Sequence, residues 1–166
     1  MADKHHVRFD IKDCGSITLE LDPTAAPITV KNFIFLVDMG FYDGLTFHRI
    51  MEGFMIQGGD PNHNGTGGSD KCIKGEFARN GVANPISHKR GVISMARSMM
   101  PDSASSQFFI CHADATFLDG QYAAFGHVTE GMDTVDYIAR TARPIDGNGT
   151  VPFDEQPVIE KAVVID

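Results

Sequence analysis

Val7, Phe9 and Ile11 alternate with polar neighbours, Asp13-Cys14-Gly15 supplies a turn, and Ile17, Leu19 and Leu21 resume the alternation. A period of two sends successive side chains to opposite faces, so this opening is predicted to be a β-hairpin with one buried face. From Thr24 the period lengthens. Val30, Phe33, Ile34 and Val37 recur at helical spacing, with Thr24 as the candidate cap, Pro27 in the first turn and Gly40 as the stop. Short apolar segments follow near 46–51, 54–58, 92–96, 107–111, 123–128 and 158–165, parted by turn pairs such as Asp43-Gly44, Asn64-Gly65, Asn80-Gly81 and Asp119-Gly120. With the hairpin they make eight candidate strands. A second helix fits 132–141, where Met132, Val135 and Ile138 form the apolar stripe, Asp133 and Asp136 lie early, Arg140 lies late and Pro144 follows. Residues 141–157 are rich in Pro and Gly and read as an irregular surface loop. Many strands and two helices predict a mainly β barrel or sandwich with helices closing its ends.

A chain of 166 residues with 42% hydrophobic and 22% charged residues buries enough apolar surface for one domain, taken as 1–166, without disulfides or metal. The net charge of −8 and the absence of a Lys/Arg run argue against nucleic acid as a partner. Cys14, Cys72 and Cys111 are odd in number and lack Cys-x-x-Cys spacing, which fits reduced thiols in the cytoplasm. MADKHHVRFD holds no apolar run of leader length and no segment is long enough to cross a bilayer. The expectation is therefore a whole, mature, cytoplasmic chain with no membrane partner, monomeric for want of a large apolar patch. Asn64-Gly65-Thr66 and Asn148-Gly149-Thr150 match the glycosylation pattern, but both read as turns.

The stretch FHRIMEGFMIQGGD, residues 47–60, carries the chemistry. If 46–51 is a strand, Phe47, Arg49 and Met51 share one face, and the strand alone leaves open that Arg49 merely lays its stem over two apolar neighbours. Gly53 permits a bend after which Phe54, Met55 and Gln57 return beside the arginine. A charged fork, an amide and an apolar floor then meet without acid, base or nucleophile, a set suited to polarising an amide rather than cleaving it. Other chemistries fit less well. The seven histidines lack ligand spacing, so neither metal nor cofactor is expected, and the run 64–71 lacks the Gly-Lys-Ser/Thr ending of a phosphate loop. Ser69 lacks the closing glycine of a nucleophile elbow. Phe108 and Phe109 should point opposite ways, Phe108 into the core.

FHRI followed by GFMIQGGD, then HNGTGG at 63–68, ISMAR at 93–97, SSQFFICHAD at 105–114 and FLDGQYAAFG at 117–126, resembles the cyclophilin family of peptidyl-prolyl isomerases, in its bacterial form, from about residue 7 onward. The resemblance implies a closed eight-stranded antiparallel β-barrel capped by two helices, with a groove on its outside. It implies that Arg49 is catalytic, that Phe54, Met55, Phe109 and Leu118 line a proline pocket, and that Gln57 binds the substrate backbone and steadies Arg49. It places Ala96, Arg97 and Ser98 in a peptide-binding backbone segment, with Gly65 and Gln107 along the adjoining wall. Phe117 and Tyr122 belong to the same site. The expected partners are proline-containing peptides and folding proteins. A non-catalytic proline-peptide binding module or chaperone using the same groove is the rival reading, and Arg49 discriminates against it, since a pure binder has little use for a donor aimed at nitrogen.

Phe117 stands where many eukaryotic relatives carry tryptophan, and Tyr122 where they carry histidine. Phenylalanine lacks the indole N–H donor. Cyclosporin-type macrocycles are therefore expected to bind more weakly than to tryptophan-bearing relatives, with catalysis less affected; direct calorimetric titration checks this, and tight binding contradicts it.

Overall fold

The computed structural model describes residues 4–166, so the reading of the extreme amino terminus rests partly on residues outside those described. Eight strands run β1 His5–Ile11, β2 Gly15–Leu21, β3 Phe47–Met51, β4 Met55–Gly58, β5 Val92–Met95, β6 Phe108–Cys111, β7 Ala124–Glu130 and β8 Ile159–Val164, with helices α1 Pro27–Asp38 and α2 Met132–Thr141. Each predicted strand and helix is present. The strands form one antiparallel sheet in the order β3-β4-β6-β5-β7-β2-β1-β8.

The concave face of this curled sheet is filled by side chains. Phe33 of α1 reaches in to meet Phe9, Tyr42, Phe108 and Phe125 at centroid distances of 6.1, 5.2, 5.8 and 5.0 Å. All five rings are fully buried, and the Tyr42 hydroxyl donates to the Ser106 carbonyl at 2.8 Å, so even the polar handle is satisfied at depth. Val135 and Ile138 of α2 join the same core, with Met132 packed at its edge.

The expected closed barrel needs correction. The hydrogen-bonded ladder has two ends, β3 and β8, which meet around the Thr46–Val158 bridge, where Phe47 N donates to Pro157 O, Ile159 N to Leu45 O and Gly44 N to Ile159 O. Beyond Thr46 the outer edge of β3 is taken by the 149–151 segment instead: Ile50 N donates to Gly149 O and Val151 N to His48 O. The loop 141–157 is thus a partner of the sheet edge, not a free surface excursion, and it contains a 3-10 turn at Phe153–Glu155.

The start of α1 also differs from expectation. Thr24 is not the cap; the helix begins after Ala26, and no local side chain caps it. The orphan N–H groups go to a residue far away in sequence: the buried Glu76 carboxylate accepts from Ile28 N at 3.2 Å, Thr29 N at 2.7 Å and Thr29 Oγ1 at 2.7 Å. A carboxylate there also complements the positive end of the helix dipole. The far end is as predicted. Gly40, at φ 77, closes a Schellman turn in which Phe41 N donates to Leu36 O and Gly40 N to Val37 O.

Glu76→Ala should lower stability by about 2–3 kcal/mol, because it strands the buried Thr29 amide and hydroxyl and frees the part-buried Ile28 amide. Glu76→Gln, which keeps one acceptor, should lose less; urea titration of the two variants checks the order.

Candidate active site

A β-bulge sets the site. β3 pairs with β4 as Phe47 with Gly58, then Arg49 with Gln57, Ile50 with Ile56 and Met51 with Met55, so one extra residue, His48, is accommodated between Phe47 and Arg49. This overturns the expectation that Phe47, Arg49 and Met51 share a face. Phe47 and Ile50 both enter the core, whereas Met51 packs at the outer cluster of Met55, Phe109, Cys111 and Ala115. The bulge is the reason a strand of alternating pattern can put its arginine outside while keeping Phe47 within.

The half-buried Arg49 guanidinium is held by neutral acceptors. Nε donates to the Asn148 carbonyl at 2.7 Å, Nη1 to Gln57 Oε1 at 3.3 Å, and Nη2 approaches Met51 Sδ at 3.7 Å. Among the described residues it enters no ion pair, so its charge faces the pocket uncompensated. Gln57 in turn donates from Nε2 to Gln107 Oε1 at 3.0 Å, and Gln107 Nε2 donates to the Gly67 carbonyl at 2.7 Å. That relay fixes both amide orientations and orients the Gln57 oxygen toward Arg49.

Beside the arginine lies a pocket lined by Phe54, Met55, Gln57, Ala96, Arg97, Phe109, Leu118 and Tyr122. An adjoining depression runs along Gly65, Ser98 and Gln107. Of the predicted site residues only Phe117 lies off both. It is 66% exposed, standing at the rim with its ring 5.7 Å from that of Phe54. Phe108 and Phe109 diverge as the strand period requires, Phe108 into the main core and Phe109 onto the pocket floor.

The backbone segment 96–98 is partly committed. Ala96 N donates to Gln107 O at 3.0 Å and Ser98 N to Ser103 Oγ at 3.0 Å; the Arg97 N–H and the Ala96 carbonyl have no hydrogen bond among the described residues. The Arg97 side chain is a strut: its guanidinium lies between the Phe77 and Tyr122 rings at 4.8 and 4.7 Å and donates to the carbonyls of Gln121, Ser98 and Met99. Gly65 N donates to the buried Asp60 carboxylate, which also receives Asn62 N and Asn64 N. Burial opposes ionisation of Asp60, but these backbone donors outweigh it and hold the carboxyl below its usual range.

Two contributors escaped the sequence. The Asn148 carbonyl is backbone and carries no residue signal. His88, which showed no ligand spacing, is fully buried beneath Phe109, with the rings 6.0 Å apart and 18° from parallel. Its Nδ1 meets Asp119 Oδ1 at 2.8 Å and its Nε2 meets Ser94 Oγ at 2.9 Å, the pattern of a neutral imidazole donating to the carboxylate and accepting from the hydroxyl. Asp119 also receives His88 N and Ser87 Oγ. It follows directly on the 3-10 turn Thr116–Leu118, so it ties the wall carrying Phe117 and Leu118 to the floor. Cys111, beside that floor, is buried, and burial pushes its thiol up to about 12, which removes it as a nucleophile.

The arrangement is an arginine over an apolar pocket, with side-chain amides and a free backbone N–H and carbonyl beside it and no acid–base pair among the lining residues. Comparison with known proteins agrees with that class. The family model described as cyclophilin type peptidyl-prolyl cis-trans isomerase/CLD matches residues 6–164. A peptidyl-prolyl cis-trans isomerase of Helicobacter pylori is 48% identical over 126 residues, covering 75% of this chain and 74% of that protein. Peptidyl-prolyl cis-trans isomerase B of Bacillus subtilis is 46% identical over 125 residues, covering 75% and 84%. A crystal structure of a Cryptosporidium parvum cyclophilin type peptidyl-prolyl cis-trans isomerase superposes with a TM-score of 0.86 at 29% identity, covering 99% of both chains. The chain belongs to the cyclophilin-type peptidyl-prolyl cis-trans isomerases, the enzymes that accelerate rotation about X-Pro bonds.

Acid should weaken the fold through the histidines below the site. Burial is the main influence on both His48 and His88 and holds both below 6.5, against the pull of Asp60 on the first and Asp119 on the second. The unfolded chain then takes up protons before the folded chain does, so stability falls as pH falls through that range; the depressed carboxyls of Asp60 and Asp119 act with the same sign lower down. His6, raised chiefly by Asp166, has the opposite sign but is only partly buried, at the sheet's surface. The melting temperature should drop between about pH 7.5 and 5.5, and His88→Gln should flatten the drop; a wild-type melting temperature that holds or rises on acidification contradicts this.

Proposed function

We propose that Arg49 is the residue that lowers the rotation barrier and that the apolar pocket beside it receives the proline ring. Twisting an X-Pro amide breaks its resonance and leaves a pyramidal, more basic prolyl nitrogen. A guanidinium N–H donates to that nitrogen more strongly in the twisted state than in the planar one, which is what catalysis requires. Phe54, Met55, Phe109 and Leu118 hold the ring, Tyr122 completes the pocket and Phe117 covers its rim. Gln57 steadies Arg49 and meets the peptide backbone, as do the free Arg97 N–H and Ala96 carbonyl within 96–98. Gly65 and Gln107 flank the residues before proline.

The single observation that carries this reading is the unpaired charge of Arg49, oriented by the Asn148 carbonyl and Gln57 over an apolar floor. A carboxylate partner would have absorbed the field that a developing lone pair needs. Uncatalysed exchange takes tens to hundreds of seconds, so turnover on the order of a thousand per second calls for about 7 kcal/mol of transition-state stabilisation. A charged donor in a low-dielectric pocket, with the peptide held in place, is of that size.

Proline-containing peptides and folding chains are the substrates on this reading. A Cryptosporidium parvum relative, 30% identical with a TM-score of 0.84, has been crystallised in the presence of the dipeptide Ala-Pro, which supports it. The chain works as one monomeric isomerase domain in the cytoplasm. In support of that placement, no helix among the described residues is long and apolar enough to cross a membrane, and the three cysteines are unbridged.

Arg49→Ala should cut kcat/KM on a short X-Pro peptide by about a hundredfold while the peptide still binds, as for loss of one transition-state donor. Exchange NMR measures both quantities. Equal rates in wild type and variant would demote the groove to a docking site.

A further inference from the structure

Phe54 forms one wall of the pocket, yet it lies outside the strands, in the turn between β3 and β4 where Gly53 has φ 82. A turn residue needs an external hold if its ring is to stay in register with a floor built on strands. That hold comes from His112, the residue immediately after β6. Gly53 N donates to His112 Nδ1 at 2.8 Å, and His112 N donates to the Phe54 carbonyl at 2.9 Å. The other ring nitrogen, Nε2, lies 3.1 Å from Asp136 Oδ1 on α2. Asp136 is itself gripped by Arg90, Nη1 to Oδ1 and Nη2 to Oδ2, both at 2.7 Å, and Arg90 Nη1 returns to the His112 carbonyl at 2.9 Å.

The polarity of this chain is consistent throughout. Because Nδ1 accepts a backbone N–H it carries the lone pair, so the proton sits on Nε2 and is donated to the carboxylate. Arg90, first, and His112 keep Asp136 below the usual carboxyl range, so it stays ionised and accepts from both. None of these groups touches the pocket. We infer that His112 is a positioning residue for the isomerase: braced on α2 through Asp136, its ring fixes the Gly53–Phe54 backbone and thereby the aromatic wall of the proline pocket. This rests on the reading of Phe54 as a pocket wall.

The test measures KM and kcat on a short X-Pro peptide by exchange NMR, with melting temperatures, for wild type, Phe54→Ala, His112→Phe, His112→Gln and His112→Asn. Asparagine places Oδ1 where histidine has Nδ1, whereas glutamine and phenylalanine place no acceptor there. His112→Phe and His112→Gln should each raise KM about fivefold with kcat changed less than about twofold, as for loss of one hydrogen bond. His112→Asn should return KM close to wild type, and the Gly53 amide proton shift should move in the first two variants and not in the third. If Phe54→Ala raises KM while His112→Phe and His112→Gln do not, the brace is refuted and the pocket reading stands. If Asn, Gln and Phe all raise KM alike, the acceptor role is refuted. If Phe54→Ala itself leaves KM unchanged, the pocket reading fails and the inference falls with it.

Discussion

A guanidinium beside an apolar pocket must satisfy two demands that pull against each other: its donors need partners, and its charge must stay available. A carboxylate would meet the first and defeat the second. Arg49 is held by a peptide carbonyl and a side-chain amide, neutral acceptors that orient without neutralising. Much of the surrounding structure exists to present those two groups. The 145–151 loop is pinned to the outer edge of β3 so that the Asn148 carbonyl points inward, and the bulge at His48 turns Arg49 out of a strand whose neighbours face the core.

The same economy of neutral contacts continues around the pocket. Gln57 and Gln107 pass a chain of amide hydrogen bonds to Gly67, and the Arg97 guanidinium is consumed by two rings and three carbonyls. Histidine–carboxylate pairs do occur close by, as His88 with Asp119 and His112 with Asp136, but they lie under or behind the lining. The pocket is bordered by two guanidinium groups, Arg49 and the Arg97 strut, while the histidine–carboxylate pairs that fix its walls face away from it.

How much of this the sequence disclosed depends on what kind of signal each feature leaves. Strands and helices leave periodicity, and all ten elements were legible. Gly40 leaves a stop signal because its left-handed turn suits glycine. That Arg49, Phe109 and Leu118 share one pocket is legible through motifs carried by a family. The cap on α1 was not, because Glu76 acts across a long stretch of chain and Thr24 looked locally sufficient. The bulge was not, because inserting one residue leaves the composition of FHRIM unchanged while reversing which face Phe47 takes. Asn148 works through a carbonyl that every residue owns.

The glycine-rich run after Asp60 lacks the ending of a phosphate loop but has the composition of a cradle. It is a cradle, but already full: the Asp60 carboxylate lies within it, receiving the N–H groups of Asn62, Asn64 and Gly65, and a side chain at Gly67 would collide with that carboxylate. A loop that elsewhere would wait for an anion to shape it is here shaped from within. The wall carrying Gly65 is consequently set when the chain folds, and its conformational entropy has been surrendered before anything docks against it.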